Sequence, residues 1–127
     1  MFENLAAMWP NYFVRGVTHL VLARVIEAAA ELDRYRTAVP GAALVVCRLV
    51  SPETTRMERL MRRLPPGSSR DWHAARSSEL DEILDRLAIE DFVVENDDRS
   101  VREVAIEILE LAKWVTEDQA TSLTKAI

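Results

Sequence analysis

Glycine is scarce in this chain. Its three glycines, Gly16, Gly41 and Gly67, stand far apart among 127 residues. No GxxxxGK(S/T) phosphate loop and no GxGxxG dinucleotide turn exists. Without a loop of backbone N–H groups around the β- and γ-phosphates, phosphoryl transfer loses its main electrostatic support. There is no GxSxG nucleophile elbow either. One cysteine, Cys47, excludes an intrachain disulfide, and two distant histidines add no zinc site at the usual spacings. No apolar run approaches the ~20 residues of a membrane span. The N-terminal MFENLAAMWPNYF has an early acid and no basic region, unlike a signal peptide. A reducing cytoplasm is therefore the expected location. Lysine is also rare: among 16 basic residues only Lys113 and Lys125 are lysines. The formal net charge of −5 argues against a nucleic-acid backbone as the main partner.

What is present suits one α/β domain over residues 1–127, with 115–127 expected as a frayed tail. Hydrophobic content of 49% is enough for a core. Three short apolar runs read as buried parallel strands: His19–Ile26, Ala43–Val50 and Asp91–Glu95. Helical patterns separate them. Phe2–Val14 carries Pro10 in its middle, and Ala28–Ala38 stops at Pro40-Gly41. Ser51-Pro52-Glu53 is a helix start, with serine as cap and proline in the first turn. That helix runs to about Leu64 and breaks at Pro65-Pro66-Gly67. A new start is expected at Ser68 or Ser69, with the next helix over about Asp71 to Leu87. Ser100 and Glu103 form a capping box for the last. The order predicts a three-layer α/β fold: a short, mostly parallel sheet of about three strands, flanked by helices.

Arginines dominate the candidate chemistry. Arg56, Arg59 and Arg63 share one helix face at i, i+3 and i+7. Arg62, Arg63 and Arg70 bracket the proline-glycine break, as in a flap closing over an anion. The bland reading is a solvated face paired locally with Glu53 and Glu58. Arg48 and Arg24 interrupt apolar strands. Arg48 lies two residues from a strand's carboxyl end, where open α/β sheets bind ligands. An internal ion pair is its plainer role. Asn96-Asp97-Asp98 follows the third strand, and its plain reading is a turn. Trp72 reads as a packing residue and His73 has no visible catalytic partner. Trp9, Tyr12 and Phe13 are either core or an exposed patch.

Taken together, LVLARVIE, ELDRYRTAVPGAALVVCRLVSPETTRMERLMRRLPPGSSRDWHAARSSELDEILD and DFVVENDDRSVREVAIEILELAKW carry a resemblance. From Leu5 to Trp114 the chain resembles the C-terminal part of a P-loop nucleoside or small-molecule kinase, of the actinobacterial adenylylsulfate kinase-like type. The unit VVCRLVSPETTRMERLMRR, a strand feeding an arginine-rich helix, is its most specific part. The resemblance implies that Arg62, Arg63 and Arg70 are lid arginines on ATP phosphates, with Arg48 near the phosphate site. It places Asn96, Asp97 and Arg99 near the nucleotide base, and makes ATP with magnesium the cofactor. The family's P-loop strand, its phosphate-binding lysine and its magnesium-holding Ser/Thr have no counterpart here. The expected function is thus a truncated or degenerate kinase-like domain with at most residual nucleotide or anion binding. The alternatives are an interaction or oligomerisation protein, or half of a kinase whose P-loop segment is supplied elsewhere. In the family, the P-loop strand sits mid-sheet. Its loss leaves unpaired backbone, so a homo-oligomer or a partner chain completing the sheet is expected.

Overall fold

A computed structural model describes residues 1–126. The chain is mixed α/β, with six helices and one small parallel sheet among these residues. Two compact units emerge from its contacts.

The first unit comprises residues Met1–Leu44 and Glu82–Ile89. Helix α1 (Phe2–Val14) is continuous through Pro10. Helix α2 (Ala30–Ala38) carries the unit's buried residues Tyr35 and Ala38, with Val39 just beyond. Phe2 meets Tyr35 edge-on, with ring centroids 4.8 Å apart. The Arg34 guanidinium covers the Phe2 ring at 4.0 Å, so a cation–π contact closes this small cluster. Beyond Val39 the chain turns at Gly41, whose φ of +80° suits a residue without a Cβ.

The second unit runs over Val45–Asp81 and from Glu90 onward. Strands β1 (Cys47–Val50) and β2 (Phe92–Glu95) pair in parallel, Cys47 opposite Phe92 and Val50 opposite Glu95. The Asp91 side chain extends the ladder, accepting from the Val46 amide at 2.7 Å. Helix α3 (Glu53–Arg63) and helix α4 (Ser68–Leu87) fill the connection between the strands. Helix α5 (Val101–Leu111) packs on β2 and against helix α6 (Glu117–Lys125). Val94, fully buried on β2, is the centre of the core, joined by Val104, Ile106 and Ala120.

Several expectations need correction. His19–Ile26 forms no strand, so the sheet has two strands rather than about three. An apolar run becomes a strand only where a ladder partner exists, and none is present for it here. The remaining strands are shorter than the apolar runs around them, beginning at Cys47 and Phe92. Ser51 does not cap α3; Pro52 holds the cap position without a side-chain bond. The Ser51 carbonyl is instead taken by Arg56. Helix α4 starts at Ser68, one of the two starts expected after the break. Residues 115–127 were expected to fray, yet 117–125 form α6, while Ile127 lies outside the described residues. A second capping box explains this helix. Thr116 Oγ1 accepts from the Gln119 amide at 3.3 Å, and Gln119 Oε1 accepts from the Thr116 amide at 2.8 Å.

No described helix is long and apolar enough to cross a membrane.

Candidate functional site at the carboxyl ends of the strands

Open parallel sheets bind ligands beyond the carboxyl ends of their strands. Here those ends are Val50 and Glu95, followed by Ser51 and Asn96. Both ends are occupied by arginines from α3. Arg56 Nη1 donates to the Ser51 carbonyl. Arg59 Nη2 donates to the Asn96 carbonyl at 2.8 Å. One turn of helix separates the two arginines, so α3 straps both strand ends through a single face.

The same face carries an ion-pair network. Asp81, on α4, bridges two guanidinium groups. Its Oδ1 lies 2.9 Å from Arg48 Nη2 and its Oδ2 lies 3.0 Å from Arg56 Nη2. Glu90 adds a longer contact to Arg48, at 3.8 Å. The Arg48 side chain keeps only 11% of its surface, against 24% for Arg56 and 42% for Asp81. Asp81 thus joins two arginines, with Glu90 beside Arg48. The Arg56 Nε is buried without a hydrogen-bond partner among the described residues. The plainer expectation for Arg48, an internal ion pair, is what its contacts show. Glu53 and Glu58 are not the acids that pair with the helix face. Asp81 is, and nothing local in the sequence marks it, because it lies 25 residues beyond Arg56.

The other candidates divide into engaged and open groups. Arg70 is engaged: its Nε and Nη2 both donate to the Leu64 carbonyl, at 3.0 and 2.8 Å. That bidentate contact ties α4 to the last residue after α3. Gly67, inside the break, sits at φ +148°. Arg99 is also engaged, on the Glu95 carbonyl at 3.1 Å and on the Glu107 carboxylate. Asn96 continues the ladder by donating to the Val50 carbonyl at 2.7 Å. Asp98 takes a left-handed φ of +48°, so Asn96-Asp97-Asp98 is a turn. Arg62 and Arg63 are open. They are exposed in the last turn of α3 and have no hydrogen bond or ion pair among the described residues. The structure therefore brings Arg48, Arg56 and Arg59 to the strand ends, together with Asn96. Arg62 and Arg63 remain in solvent.

Trp72 differs from its expected packing role. It is 60% exposed, with its ring edge-on to His73 at 4.9 Å. The His73 ring contacts the Ser69 carbonyl through Nδ1 at 2.9 Å. Cys47 opens β1 at its amino end. Burial, and then the Glu107 carboxylate, push its thiol above the ordinary range, so it is a weak nucleophile at neutral pH. Among the described residues no group of histidine, cysteine, aspartate or glutamate could hold a metal ion. An open groove of about 490 Å³ lies along α6, between Val115, Asp118, Gln119, Ser122 and Leu123, and includes none of the candidate arginines.

Comparison with protein-family models, with curated proteins and with solved structures finds no match for this chain.

Proposed function

We propose that this chain is a P-loop-kinase-like α/β domain that binds a phosphate- or sulfate-bearing anion without transferring it. The observation that carries this reading is the division of labour along α3. Arg56 and Arg59 are spent on strand-end carbonyls and Asp81, which fixes the helix. Its last turn then presents Arg62 and Arg63 exposed and without an ion pair among the described residues, next to the Pro65–Gly67 break. Guanidinium groups are planar forks matched to the oxygens of phosphate and sulfate, and a pair of them supports bidentate capture. Transfer chemistry needs more. The residues present do not fit magnesium-ATP, because among the described residues no group of histidine, cysteine, aspartate or glutamate could hold the metal, and the only lysines, Lys113 and Lys125, are not on α3.

Thermal unfolding tests it. Sulfate, phosphate or ATP at a hundredfold excess over its dissociation constant adds about 2.7 kcal/mol to a protein that binds it only when folded. A rise of several degrees in Tm is expected. Arg62→Ala combined with Arg63→Ala abolishes the rise, while Arg102→Ala, on α5, leaves it intact. No response to any of the three anions, or an equal response in the double variant, overturns the reading.

A further inference from the structure

We draw no further inference here: the strongest candidate, the exposed surface patch of Trp72 and His73 in the first turns of α4, carries nothing, because nothing in the structure shows what covers it.

Discussion

Removing the Asp81 carboxylate should destabilise the second unit more than any other single loss of charge. Asp81 bridges Arg48 and Arg56 at 2.9 and 3.0 Å. Two unit charges about 4 Å apart attract by about 4 kcal/mol at an effective dielectric of 20. Most of that is offset by the cost of drying Arg48, and Asp81 itself remains 42% exposed. Charge-assisted hydrogen bonds retain a net ~1.5–3 kcal/mol each when buried, and exposed pairs retain less than about 1. Asp81→Asn keeps an oxygen for one guanidinium but removes the charge from both, and Glu90 at 3.8 Å partly compensates Arg48. The expected loss is about 2 kcal/mol, with an unchanged urea m-value and a Tm lower by roughly 8 °C. Urea unfolding followed by far-UV circular dichroism measures it. The same substitution in an Arg48→Met, Arg56→Met background should cost little, because the acid then has no cation to bridge. A loss under about 0.5 kcal/mol in the native chain would refute the reasoning. An equal loss in both backgrounds would do the same, since the bridge could not then be its cause.

Two further outcomes follow from titratable groups. Hydrogen bonds from the Ser100 hydroxyl and amide hold the Glu103 carboxyl below its ordinary value of 4.5. A carboxylate depressed in the folded state contributes stability above its unfolded pKa and loses it as pH falls through the folded one. The stability gap between the native chain and Glu103→Gln should therefore be full at neutral pH and shrink below pH 4.5, as read from urea midpoints along a pH series. Cys47 should be alkylated several-fold more slowly in the folded chain than in urea, because burial and Glu107 raise its thiol pKa. Glu107→Gln should accelerate the folded reaction, as followed by mass spectrometry with iodoacetamide; an unchanged rate would leave burial as the sole cause.

Local signals were legible in the sequence where a few neighbouring residues decide them. Ser100 and Glu103 announce α5, and the capping box is present with both of its bonds. Pro65–Gly67 marks the break between α3 and α4. The Asn96–Asp98 turn is visible in its composition. Thr116-Glu117-Asp118-Gln119 carries the same kind of box and could have been read as a helix start rather than a fraying tail. Pro10 misleads in the other direction, since α1 passes through it. Trp72 shows the limit of reading residue type as burial: an aromatic at a helix start was expected to pack, yet most of it is in solvent.

The arginines show where local reading ends. Residue type and the i, i+3, i+7 spacing determined that Arg56, Arg59 and Arg63 share a face, because helical geometry is a short-range property. Which of them is free was settled by partners distant in the chain. Asp81 comes from 25 residues after Arg56, and the Asn96 carbonyl from 37 residues after Arg59. A strand likewise needs a neighbour as well as a composition. Ala43–Val50 and Asp91–Glu95 each contain a strand because they meet each other, while His19–Ile26, equally apolar, does not form one. Helices satisfy their backbone within the segment, so the sequence alone determined most of them. Ladders and ion pairs are closed between segments, and only the tertiary structure decided those.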